Sequence, residues 1–336
     1  MRNLLKRGLS ATALVRALAK VPAVNGPAAK VVVLMYHDLR ADDDFPNWLR
    51  VPVSVFDRQL AWLGRVGRFI GPADLERRHE LQPGVLHFLL TFDDGYVNNL
   101  TLARPLLAKH RAPALFFVST GPMQSQEPFW SDVVVTAVQG AGLAELDLQE
   151  WGLGSFRFRT GDPAARWEDV QALLVALKAR GNEDDPVVAG VLEHLRQRHA
   201  GVLERHLPRF RPLRPEEVTA LAADPWCSVG SHSHRHALLP LLGDAELQDN
   251  LARSRRVLEG LVGGEVRGLA YPNGDWDERV EAAAAAAGYR RGFTIRPGLV
   301  TDACPPLRTP RMGVAGVGPE WILGYRLVRL LAERGS

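Results

Sequence analysis

LHFLLTFDD, residues 86–94, decides the fold. Its apolar run is the length of a strand buried on both faces, and continuous runs of that kind belong to parallel sheets covered by helices. The run ends in two adjacent carboxylates, Asp93 and Asp94, followed by Gly95. Two like charges at the carboxyl end of a core strand need a physical reason to be there.

Similar runs recur along the chain: VVVLMYH (31–37), ALFFVST (114–120), CSVGSHS (227–233), GLAYPNG (268–274), RRGFTI (290–295) and PLRTPRM (306–312). Between them lie stretches of helical periodicity, VFDRQLAWLGRV, NLTLARPLLAKH and AELQDNLARSRRVLEGL. About seven β–α alternations predict an α/β chain whose strands form a barrel, complete or incomplete. From about residue 121 to 213 the alternation is interrupted by FWSDVVVTAVQGAG, a hairpin-like LDLQEWGLGSFRFRT, and two amphipathic helices around VQALLVALKAR and VAGVLEHLRQRH. This mostly helical insertion follows a strand, so it is expected at the carboxyl face, where barrels carry their chemistry. The expected organisation is an amphipathic N-terminal segment (1–28), a barrel domain (29–315) and a C-terminal amphipathic helix (316–336).

Of 336 residues, 46% are hydrophobic and 24% charged, enough for a sizeable core. The net charge of +3 is spread without a basic block, which argues against a nucleic-acid partner. Cys227 and Cys304 are too few for a disulfide framework and read as small buried hydrophobes in a reducing compartment. In the first 28 residues Arg16 and Lys20 interrupt the apolar run, so the segment reads as an amphipathic helix rather than a cleavable signal. Residues 1–20 could touch an anionic membrane surface, or form a plain docking helix or frayed terminus. The expected location is cytoplasmic, with a peripheral place at the inner membrane open to it; the oligomeric state is not legible.

At the carboxyl end of a strand, one Asp can ligate a metal while its neighbour, turned the other way, stays free as a base. Asp-Asp-Gly alone is also an ordinary strand-to-helix turn with an Asp N-cap. A second group shifts the balance: VGSHSHRHALLP brings His232, His234 and His236 directly after another apolar strand. His232 and His236, four apart, would face the same side of a first helical turn. Two imidazoles and one carboxylate make a metal face with open positions for water and substrate.

The ordered set MYH, TFDDGY, ALFFVST, GSHSHRH and LAYPNG resembles the polysaccharide deacetylase family, the NodB-homology domain of the family-four carbohydrate esterases, over roughly residues 30–315. The resemblance implies a distorted (β/α)7 barrel that removes N-acetyl groups from an amino-sugar glycan, such as an exopolysaccharide, or from its precursor. It implies one divalent ion on Asp94, His232 and His236, with Asp93 as base towards a metal-activated water. Zinc is the first expectation for that ion, with cobalt, nickel or iron nearly as suitable. A backbone N–H at Asn273, in Tyr271-Pro272-Asn273, would face the oxyanion, and these three residues are assigned to substrate binding. The adjacent charges are then tolerable, because the ion neutralises Asp94 and leaves Asp93 as the single free carboxylate.

Two positions depart from the family pattern. Where an Arg orients the base in better-studied members, this chain has Ala270, leaving Arg267 or Arg311 as substitutes. A general-acid His near the last strands is missing, since no histidine follows His236; His37, closing M-Y-H, is the expected replacement, with a core or capping role as its other reading. His234 occupies a variable position of the motif and is expected to point elsewhere. Trp130 and Asp132 of FWSD offer a sugar platform, an aromatic face beside a hydrogen-bond acceptor; Trp130 is equally plausible as a core residue. The competing functions are a glycan-binding member with weak or no catalysis and another metal-dependent barrel enzyme.

Overall fold

The computed structural model describes residues 29–41, 49–314 and 321–333. The expected N-terminal amphipathic segment and both ends of the expected C-terminal helix lie outside these residues.

Seven parallel strands form the curl: β1 (Lys30–Tyr36), β2 (Leu86–Phe92), β3 (Ala114–Val118), β4 (Cys227–Ser231), β5 (Gly268–Ala270), β6 (Arg291–Phe293) and β7 (Met312–Gly313), in the order β6-β5-β4-β3-β2-β1-β7. A short strand, Arg68–Phe69, also pairs with β2. The segment carrying β7 reaches both ends of the sheet: Met312 pairs with Leu34 of β1, and Thr309 forms a parallel bridge to Phe293 of β6. The sheet therefore curls into the expected distorted barrel, and each apolar run of the sequence becomes one of its strands.

Alternation along the strands explains why these runs are continuous. Val31, Val33, Leu89, Leu115, Phe117, Ala270 and Phe293 pack together on one side of the sheet. Val32, Leu34, Tyr36, Phe88, Leu90, Phe92 and Phe116 belong to the core on the other side, where the helices lie. Both faces are dry, so neither parity can be polar.

The α-helices of seven or more residues on or around this sheet are α1 (Val53–Val66), α2 (Arg104–His110), α3 (Trp130–Gly140), α4 (Pro163–Lys178), α5 (Pro186–Arg198), α6 (Ala200–His206), α7 (Pro215–Ala222), α8 (Asp244–Val262), α9 (Glu278–Ala286) and α10 (Trp321–Glu333). The single helix expected over NLTLARPLLAKH is instead a π-turn, Asn99–Ala103, running into α2. Pro105 brings no N–H to the carbonyl four residues before it, and the chain widens there.

Helices α3 to α6 and a hairpin, Glu145–Asp147 with Ser155–Arg157, lie between β3 and β4. Asp162 and Asp185 cap α4 and α5 by accepting from backbone N–H groups of their first turns. These elements share their own core, including Val134, Val138, Leu173, Leu177, Val188 and Leu195. Among the described residues no helix is long and apolar enough to cross a membrane.

Candidate active site

Strand register levels the carboxyl ends. Tyr36 pairs with Phe92, so His37 and Asp93 leave β1 and β2 side by side, joined by the Asp93 N–H to Tyr36 carbonyl bond of 3.0 Å. Val118 pairs with Ser231, and the His232 N–H donates to the Val118 carbonyl at 3.0 Å. Asp94 then turns into the left-handed region at φ 72°, and Gly95 follows at φ 82°. A Cβ on Gly95 would press on Val118 at 3.0 Å, so both the turn and the space require glycine.

Asp94 Oδ1 lies 3.2 Å from Nε2 of His232 and 3.2 Å from Nε2 of His236. One donor atom from each of the three residues lies within 4.8 Å of the others. His232 Nδ1 meets the Ala270 carbonyl at 2.9 Å, which places a proton on Nδ1 and leaves Nε2 either to share a proton with Asp94 or to offer its lone pair to a metal. Burial opposes the Asp94 charge, yet its bonds to both imidazoles hold the carboxyl well below the usual range. Burial likewise disfavours the His232 imidazolium, but Asp94, Asp93 and the Ala270 carbonyl together outweigh it and raise that pKa. Carboxylate and imidazole lone pairs converging on one point attract a cation. These donors fit a divalent ion, which would displace the shared proton.

The histidines are not on a helical turn, contrary to the sequence expectation. After Ser231 the chain forms a loop in which Ser233 and His236 adopt φ 65° and 52°. Its backbone N–H groups are taken by side chains: Ser231 Oγ accepts from Ser233, Ser233 Oγ from His236 and Asn250 Oδ1 from His234. Such bonds offer the backbone an alternative to helix. His234 does point elsewhere, its Nδ1 bonded to the Thr120 hydroxyl at 2.8 Å.

Asp93 continues the inward parity of Leu89 and Thr91, and Arg311 meets it inside the barrel. The guanidinium donates to both carboxylate oxygens, at 2.6 and 2.7 Å, and also to the Thr294 carbonyl and Thr91 Oγ1. Arg311 is therefore the residue that orients Asp93. Arg267 instead pairs with Glu76 and Glu265 at an exposed site. Burial opposes the Asp93 charge, but Arg311 outweighs it and holds the carboxyl below its ordinary range. His37 opens on the same cavity, its pKa lowered by burial against the pull of Asp94 and Asp93.

The cavity measures about 340 Å³, and Trp130, Asp132, Asn273 and Lys178 also line it. Asp132 is engaged on both oxygens, accepting from Arg50 and from the Tyr96 hydroxyl at 2.8 Å each. Arg50 also stacks its guanidinium on Phe210 at 3.3 Å. Tyr271 and Pro272 are buried behind the cavity, and the Tyr271 hydroxyl donates to the Leu307 carbonyl. They hold the turn that presents Asn273, itself left-handed at φ 55°, rather than facing the cavity.

Sequence reasoning missed Lys178 and the Arg50–Asp132–Tyr96 network. Trp167, Gln171, Leu174, Val175 and Lys178 of α4 all line the cavity, and their spacing marks one helix face. A lysine on the mostly apolar stripe that runs through VQALLVALKAR was the available signal. The Arg50 network joins partners 82 residues apart and leaves no local mark.

A family model described as polysaccharide deacetylase matches residues 83–151 and 169–292. A curated relative from Bacillus subtilis (strain 168), the putative polysaccharide deacetylase YxkH, is 36% identical over 93 residues, 27% of this chain and 32% of the relative. Among solved structures, the Streptococcus pyogenes deacetylase PplD in complex with acetate superposes with a TM-score of 0.57 at 18% identity, covering 91% of this chain and 99% of that one. IcaB from Ammonifex degensii gives a TM-score of 0.57 at 19% identity, over 92% and 98% of the two chains. Both likenesses are of fold.

Proposed function

This chain belongs to the polysaccharide deacetylase family, and from that premise we propose that it hydrolyses N-acetyl groups of an amino-sugar glycan or its precursor with the help of one divalent ion. The observation that carries the reading is the pairing of two carboxylates with opposite fates in one cavity. Asp94 converges with His232 and His236, while Asp93 beside it is fixed by Arg311.

Asp94, His232 and His236 would hold a divalent ion, zinc in the first instance, which when bound would supply Lewis-acid polarisation of the acetyl carbonyl and lower the pKa of water at the site. Asp93 takes the proton of the attacking water. Each of its oxygens accepts one bond from Arg311 and keeps a second lone pair for that proton. The Asn273 backbone N–H faces the acyl oxygen as negative charge develops there. His37 delivers the proton that the leaving nitrogen needs, since an amide anion is a very poor leaving group. Trp130 offers an aromatic face to the sugar ring, with Asp132 held rigidly beside it by Arg50 and Tyr96.

Acetate release from β-linked N-acetylglucosamine oligomers, measured with and without a chelator and after adding back zinc, tests the reading. Release that stops with chelator and returns with metal is expected; release indifferent to chelator would rule out the metal-dependent reading, and ligand binding without release would favour a catalytically silent glycan-binding protein.

A further inference from the structure

Lys178 ends α4, on the helix face that lines the cavity. Its ammonium donates to the side-chain oxygen of Asn273, 95 residues away in sequence, and so joins the insertion to the turn that follows β5. Among the described residues it forms no ion pair with a carboxylate. Asp93 has Arg311 and Asp132 has Arg50. The half-buried ammonium has one neutral amide oxygen as its contact and no described carboxylate within ion-pair distance, with Asp94 and Asp275 acting on it from further away, so Lys178 places a positive charge at the cavity wall.

Its partner is the residue that can least afford to move. Asn273 sits at φ 55° and ψ 0°, in the left-handed region that asparagine adopts more readily than other non-glycine residues. The turn itself is tight, because a Cβ on the next residue, Gly274, would strike Ile295 at 2.3 Å. Anchoring the Asn273 side chain fixes the peptide plane on which its N–H is carried.

We infer that Lys178 is a positioning residue for deacetylation: delivered by the insertion, it locks Asn273 so that the backbone N–H faces the acyl oxygen, and it sets a positive charge beside the developing oxyanion. The inference rests on the deacetylase reading and adds to it a residue outside the motifs that carry the family resemblance. It also gives the insertion a role in the chemistry, because a helix after β3 completes a site built on β1, β2, β4 and β5. Burial lowers the Lys178 pKa, and Asp94 and Asp275 oppose that shift.

The test is a double-mutant cycle on the metal-loaded full chain with Lys178→Met, Asn273→Gly and the pair, plus Lys178→Arg. Asn273→Gly keeps the N–H and tolerates the left-handed conformation while removing the oxygen that Lys178 binds. Lys178→Met is expected to lower kcat on N-acetylglucosamine oligomers about 10- to 100-fold with little change in KM. Metal content and melting temperature should be unchanged, Lys178→Arg should recover part of the rate, and the double variant should lose no more than the worse single one. Acetate binding by calorimetry gives a second readout that needs no turnover: Lys178→Met and Asn273→Gly should weaken it by similar factors. Fully additive losses, a rise in KM at unchanged kcat, or unaltered acetate affinity would each overturn the inference. A wild-type chain that releases no acetate while its acetate affinity responds to both variants would instead remove the deacetylase reading and leave the Lys178–Asn273 coupling standing.

Discussion

Removing Arg311 is the most demanding perturbation the structure allows. Its side chain is fully buried and that of Asp93 is 3% exposed, so Arg311→Met leaves a carboxylate inside the barrel without the guanidinium that pairs with both its oxygens. Breaking a buried pair by deleting one partner costs about 3–5 kcal/mol, far more than the net worth of the intact pair, because the remaining charge stays desolvated. At roughly 2 °C per kcal/mol for a chain of this size, the melting temperature should fall by about 6–10 °C. Arg311→Lys keeps a charge, but one ammonium cannot span both oxygens and also reach the Thr294 carbonyl, so about 1–2 kcal/mol of loss is expected. Adding Asp93→Asn to Arg311→Met removes the stranded charge and should recover at least about 1 kcal/mol relative to Arg311→Met. Thermal melts and denaturant titrations of the four proteins supply the numbers. If Arg311→Met melts within about 1 °C of the parent, or the double variant is less stable than the single, the argument that Arg311 offsets a buried Asp93 charge is refuted.

Asp94→Ala and His236→Ala should each lose the bound metal together with activity, since two protein donors hold a divalent ion poorly; stoichiometric metal after dialysis in both would sink the ligand assignment. Asp93→Asn should keep its metal yet lose about two or more decades in kcat, and near-normal turnover in the metal-replete variant would place the base elsewhere. His37→Gln should depress kcat on an N-acetyl amide much more than on an activated acetate ester, whose leaving group needs no proton; equal losses would assign His37 to positioning. Cys227 is buried and its thiol is pushed up to about 12 by burial, so alkylation followed by mass spectrometry at pH 8 should leave it unmodified in the folded chain, and rapid labelling there would contradict the packing of β4.

The strands could be read from the chain because each is buried on both faces: a dry strand must be apolar at both parities, and that leaves a local mark wherever it occurs. Asp93, Asp94, His232 and His236 were legible for a related reason. Each lies within a few residues of a strand end, and strand ends are where a barrel places its chemistry. The loop conformation of the histidines was not legible, because it depends on side chains such as Asn250 reaching back from α8. The partner of Asp93 could be narrowed to two arginines, but only the curl of the sheet, which carries the segment after Thr309 across to β1, brings Arg311 rather than Arg267 into the interior. Lys178 is the extreme case: nothing near it in sequence carries chemistry, and it reaches the cavity because the insertion folds on its own core and lays one face of α4 over the barrel mouth. What depends on a residue's immediate neighbours, burial parity and chain turning, is written locally. What depends on a charge finding its counterpart 95 or 218 residues away is decided only when the barrel closes and the insertion docks.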